Sequence, residues 1–338
     1  MNLWNRLRGQ PPASQAPIAA STEAVPSPAG QESMSLIMLF DTLPRLEQPV
    51  IERGLHVSGG VGQAVQLSAE FVENGNLHAI VGFGEHRLRL VGFDLPAPGS
   101  AVEQAIDCAP WPQGAKQPLR SHRAHVLVAY LDGSADPTEQ LIAVLRLAAT
   151  FGDSGLLGVV DSAAWNCIPA HALGDIARPD MLDVCRRALP VGICTGFVKF
   201  FKGQDEVWFC SKGLHRWGVG DFALLGKLSQ AQETTELFGA LFDYVRESHA
   251  VLGPGHTAQF GNLHLRFDRV TEYAEFLQGP LGTLVVSSHS ACSASCIASL
   301  LTMVVEPLLA IVASSRAINR AWKPPACRAV LAETRRTR

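Results

Sequence analysis

Apolar and polar positions follow strand-like or helix-like spacings over most of the chain between Met34 and Val286. Ser35 to Phe40 is an almost unbroken apolar run closed by Asp41, which predicts a buried strand. A short helix is expected over about 46–54, where Pro49 is tolerable only near the first turn. Val65, Leu67, Ala69 and Phe71 then alternate with mostly polar residues, and Leu77, Ala79, Val81 and Phe83 alternate on the way back. Asn74-Gly75 between them is the strongest hairpin signal in the chain, because both residues tolerate positive φ. Leu88 and Leu90 open a further strand, Ser100-x-x-Glu103 reads as a capping box before a helix, and Val126, Val128 and Tyr130 mark a returning strand. The order β-α-β-β-β-α-β matches a ferredoxin-like split βαβ unit with one extra strand.

The pattern then recurs. Asp136 is placed to cap a helix, with Pro137 at its first position and Glu139 completing a box. Leu141, Val144, Leu145 and Ala148 form its apolar stripe, a strand follows over 156–160, and Met181, Val184, Cys185 and Leu189 share a helical face. The stretch 189–226 reads as three strands, starting with one over Val191 to Phe201 that turns at Lys202-Gly203-Gln204-Asp205. The clearest helix spans Gln230 to Ser248, and Leu263, Leu265 and Phe267 alternate as a strand beyond the Gly253-Pro254-Gly255 turn. The expectation is an α+β fold with mixed or antiparallel sheets, in two similar ferredoxin-like halves over 34–133 and 134–286. The flanks differ. Residues 1–33 pair a short basic-apolar opening with a Pro, Ala and Ser-rich linker, and 287–338 run from an apolar stretch into a basic tail.

Between the second and third strands of 189–226 lies Ser211 to Asp221, whose three glycines permit backbone shapes closed to other residues. It is either a shaped connection or a recognition loop presenting Lys212, Gly213, His215, Arg216, Trp217, Gly218 and Asp221. Leu189-Pro190-Val191, followed by Ser211, Gly213, Leu214, Trp217, Gly218 and Asp221, resembles the signature of a bacterial family, the domain of unknown function numbered 4261. There a strand opening Leu-Pro-Val leads through a hairpin to a Thr-x-Gly-Leu-x-x-Phe-Gly-x-Pro-Glu-like loop. Here Ser stands for Thr, Trp for Phe, Gly220 for Pro and Asp for Glu, and the resemblance extends loosely from about Met34 to about Val286. It implies a fold; the family offers no activity to carry over.

Composition narrows the partners. The 338 residues carry a formal charge of -3, which gives no bulk attraction for nucleic acid or an anionic membrane. The eight cysteines have no repeating spacing and no secretory signal opens the chain, so reduced, buried thiols and a cytoplasmic location are expected. A membrane contact through residues 1–9, or a span over 284–312, is opposed by the short helix at one end and by His289, Glu306 and Pro307 at the other.

Catalytic patterns are incomplete. Gly152-Asp153-Ser154-Gly155 matches the tetrapeptide around a serine nucleophile without the matching histidine segment, and Gly60-Val61-Gly62 lacks the third glycine of a dinucleotide loop. Cys292 and Cys296 have no partner pair with zinc-like spacing; Cys210 with His215, and His122 with His125, read as structural. No catalytic residue, cofactor site or metal ligand is assigned. The expected function is a non-catalytic protein-binding or accessory module, of the kind found in immunity or secretion systems. The alternative is an enzyme with a site around Lys212, His215 and Asp221.

Overall fold

The computed structural model describes residues 34–57, 64–72, 76–260 and 263–288, which form helices around two sheets. The first sheet contains β1 (Ser35–Phe40), β2 (Val65–Val72), β3 (Asn76–Phe83), β4 (His86–Phe93), β5 (Ala124–Asp132), β6 (Leu156–Asp161) and β7 (Asn166–Pro169). Its order is β2-β3-β4-β5-β1-β6-β7, and every pairing is antiparallel. The second contains β8 (Gly196–Phe201), β9 (Glu206–Lys212), β10 (Asp221–Lys227), β11 (Thr257–Phe260), β12 (Leu263–Arg269) and β13 (Thr283–Ser288). Its order is β11-β12-β13-β10-β9-β8; β10 and β13 run parallel and the other neighbours antiparallel. The fold is α+β, as the periodicity predicts.

The strands are shared differently from the expected two halves. The apolar run of β1 is central, flanked by β5 on one side and by β6 on the other. The first sheet therefore continues across the division expected at 133/134. The strands β5 and β6, linked through residues 133–155, both run antiparallel to β1 and so lie parallel on either side of it, which makes one split βαβ crossover that spans the expected division.

The helices are α1 (Gln48–Val57), α2 (Ser100–Cys108), α3 (Gln113–Arg120), α4 (Pro137–Ala149), α5 (Ala170–Ile176), α6 (Pro179–Arg187), α7 (Ala231–Ser248) and α8 (Ala274–Leu277). Helix α4 is buried on most sides, against β1, β4 and β5 and against α1, α5 and α6. Its start is as predicted: Asp136 Oδ1 accepts from the Thr138 N–H at 2.8 Å and Pro137 occupies the first turn. Glu139 does not close a box; it pairs instead with Arg186 on α6. The Ser100 box is also absent, because Ser100 already lies inside α2 and Gly99 occupies the cap position. Helix α7 covers β9 and β10 with Leu237, Phe238, Leu241 and Phe242. Residues of both sheets and most of these helices form one large apolar core, and Leu277 of α8 packs in a smaller second cluster with Trp208, Cys210 and Ala223.

Pattern reading did not assign α3, α5, β7 or β11. Pro118 inside α3 hides that helix, and β7 and β11 are too short for alternation to register. The strand expected from Val191 starts only at Gly196, because residues 191–195 turn on themselves. Asn74-Gly75, Gly60-Val61-Gly62, Cys292, Cys296 and the segment 1–33 lie outside the described residues, as does the extension beyond Ser288. Of the span considered over 284–312, residues 284–288 belong to β13. Among the described residues no helix is long and apolar enough to cross a membrane.

Candidate functional site

The loop singled out by its glycines joins β9 to β10 through a 3-10 turn at Leu214–Trp217. Gly213 and Gly218 bracket that turn with φ of 97° and 73°, in the left-handed region that disfavours side chains. Gly213 is also pressed against the first sheet: a Cβ there would come 2.9 Å from the Ala164 Cβ. The glycines thus let the loop bend tightly and seat it against the β6–β7 turn.

The side chains expected to face a partner turn inward. Arg216 is 4% exposed and forks onto Asp161 at the end of β6, reaching Oδ1 at 2.7 Å through Nη2 and Oδ2 through Nη1. Asp161 Oδ1 also accepts from the Ala164 N–H at 3.0 Å, so one carboxylate fixes both the β6–β7 turn and the loop. Trp217 is half-buried; its Nε1–H donates to Thr138 Oγ1 at 3.1 Å and its ring stands edge-on to Phe242, joining α4 to α7. His215 is half-buried, and Gly218 is the exposed member of the group. The recognition-loop expectation is corrected accordingly: Lys212, Arg216, Trp217 and Asp221 hold elements together. Their polar atoms are drawn in because the turns they meet expose backbone and carboxylate groups that need partners.

Lys212 and Asp221 form the other half of this joint. Lys212 Nζ donates to the carbonyls of Leu277 at 2.9 Å and Gln278 at 3.2 Å and lies 4.9 Å from the centre of the Trp165 ring. The Leu277 carbonyl also accepts from Thr283 Oγ1 at 2.6 Å. The Asp221 N–H donates to Gly282 O at 3.0 Å, and its Oδ1 accepts from the Leu214 N–H at 3.2 Å. Asp221 Oδ2 is buried and has no hydrogen-bond partner among the described residues. Burial raises the Asp221 carboxyl to about 7, against the opposing pull of the Lys212 charge. Gly279 crosses directly over that oxygen: a Cβ at 279 would lie 2.2 Å from Oδ2.

Beside the joint lies a cavity of about 460 Å³, lined in part by Gly218–Gly220 of the loop and by Leu281, Gly282 and Thr283 at the start of β13. Its rim carries Val251, 82% exposed, and Leu281, 55% exposed, with Arg269 at the end of β12. Sequence reading missed these three residues. Val251 and Leu281 stand in loops without periodicity, and only their position beside Gly253-Pro254-Gly255 and Gly279-Pro280 could have drawn attention.

The remaining candidates have structural placements. Gly152–Ser154 is a short 3-10 turn after α4. Cys210 is buried, its thiol donates to the Ser211 and Leu277 carbonyls, and burial pushes it up to about 12. His122 bridges the Leu119 carbonyl and the Ala97 N–H, and His125 meets the Leu95 carbonyl. No group of three or more metal-ligating side chains occurs among the described residues. Compared with known proteins, the chain matches no family model, no curated protein and no solved structure.

Proposed function

We propose that the chain is a non-catalytic protein-binding module whose docking point is the cavity beside the glycine-rich loop, and that it is a member of the domain of unknown function family numbered 4261. The observation that carries the binding reading is the exposed lining: Val251 and Leu281 present large apolar side chains to a cavity also lined by Val219, Phe222 and Leu252. Exposed apolar side chains at a concave site are a common anchor for an apolar residue of a partner. Arg269 at the rim supplies a cation for an acidic neighbour of the inserted residue. Family membership rests on the Leu189-Pro190-Val191 opening and the Ser211–Asp221 loop residues.

The test compares partners recovered by the full-length wild-type chain with those recovered by Val251→Asp and Leu281→Asp. The reading expects a stoichiometric protein that wild type retains and both variants lose, with unchanged thermal unfolding. A partner retained undiminished by both variants would sink it. An enzymatic reading around Lys212, His215 and Asp221 has one observation in its favour, the raised carboxyl of Asp221 with its unpartnered oxygen. On that reading Asp221→Asn abolishes a turnover that the cavity-rim variants leave intact.

A further inference from the structure

We propose that Cys185 and Cys194 form an oxidisable dithiol site, converted to an intramolecular disulfide by hydrogen peroxide or another small peroxide. Cys185 lies in the last turns of α6, and Cys194 in the turn that precedes β8. Both side chains are buried, and the Cys194 thiol donates to Cys185 Sγ across 3.7 Å. A disulfide holds its sulfurs at about 2 Å, so oxidation draws this pair together from its present contact.

The two thiols have unequal chemistry. The hydrogen bond from Cys194, helped by the Arg186 charge, holds the Cys185 thiol below its ordinary value. The same bond and burial push Cys194 well above it. Cys185 is therefore the nucleophile and Cys194 the resolving thiol. Cys167 and Cys210 are buried to the same degree and are pushed up to about 12, which makes them internal controls.

In the first step the Cys185 sulfur attacks one peroxide oxygen and the O–O bond breaks. Hydroxide leaves with the thiol proton as water, and Cys185 becomes a sulfenic acid. The Cys194 sulfur then attacks the Cys185 sulfur; the S–S bond forms, the S–O bond breaks, and a second water carries away the Cys194 proton. Two thiols and one hydrogen peroxide give one disulfide and two waters; an alkyl peroxide would give an alcohol in place of the first water.

The turn carrying Cys194 is anchored from the first sheet. Asn166 Nδ2 faces the carbonyls of Gly192 at 3.2 Å, Ile193 at 3.4 Å and Thr195 at 3.3 Å. Oxidation therefore ties the end of α6 to a fixed point between the two sheets. It closes the loop that holds Leu189-Pro190-Val191.

The experiment treats the full-length native chain with graded hydrogen peroxide, blocks residual thiols, and cleaves on the amino side of aspartate. The resulting peptide Asp183 to Gln204 contains both sulfurs and no other cysteine. The proposal expects this peptide to become lighter by two hydrogens and to lose both alkylatable thiols, at least about tenfold faster than Cys210 loses its own. In Cys194→Ser, Cys185 stops at the sulfenic acid and is trapped by a dione reagent; in Cys185→Ser, Cys194 stays unreacted. Oxidation of the pair no faster than Cys167 and Cys210 overturns the proposal. So does a disulfide that forms only once denaturant has unfolded the chain. The wild-type measurement decides the matter even if a serine variant does not fold.

Discussion

Arg216 with Asp161, and Lys212 with Asp221, place a cation and a carboxylate on either flank of one loop, and they are built in different ways. In the first pair the charges meet in a fork, and the carboxylate takes a backbone N–H as well. In the second the cation turns away to two carbonyls, and the carboxylate keeps one oxygen without a partner among the described residues. The first is a joint between sheets. The second holds the turn before β13 beside the proposed docking cavity and responds to protons. A buried charge is tolerated where its partners are complete and becomes titratable where they are not.

The sharpest break of this comparison is Asp161→Ala, which removes the carboxylate that the buried Arg216 guanidinium forks onto. It is expected to lower stability by about 3 to 5 kcal/mol in denaturant unfolding, and a double change of Asp161 and Arg216 to apolar residues recovers much of that. If Asp161→Ala costs no more than a surface change, the pair is not a joint.

The pH response tests the second pair. The folded-state carboxyl of Asp221 lies at about 7 and its unfolded value near about 3.9, so between these limits the folded state binds more protons than the unfolded one. The contribution of Asp221 to stability is complete at the acid end, falls as pH rises through that window, and levels off above about 7. Asp243, raised by burial to about 6, adds to the fall in the lower part only. Asp221→Asn is expected to remove about 1.4 kcal/mol per pH unit from the slope. An Asp221→Asn profile that runs parallel to wild type between pH 6 and 7 contradicts it.

The smallest effect is Trp217→Phe. The ring contact to Phe242 persists and the hydrogen bond to Thr138 is lost, so a cost of about 1 kcal/mol is expected in thermal unfolding. A larger loss would mean that the indole, rather than Arg216, carries the joint.

Much of the fold was legible in the sequence because burial repeats with the period of each element. The β2–β3 hairpin, α4 and α7 all lie where alternation or helical spacing placed them. Strand sharing was not legible. Nothing local to Ser35–Phe40 says that its second edge pairs with a strand that begins after residue 155. The loop was found by its glycines, but its orientation depends on Asp161, Thr138 and Leu277, each distant in sequence and unremarkable alone. Lys, Arg and Trp in a glycine-rich connection look the same from sequence whether they meet a partner or their own chain.

The order of strands in the second sheet has a consequence for how the protein is made. β13 is the last strand of that sheet to leave the ribosome, yet it sits in the interior, between β12 and β10. Until it emerges, β8-β9-β10 and β11-β12 have no strand to join them. Open edges on a nascent chain invite pairing with other chains. The second sheet thus has an obligatory waiting period during synthesis, and the closing strand ends that period from both sides at once.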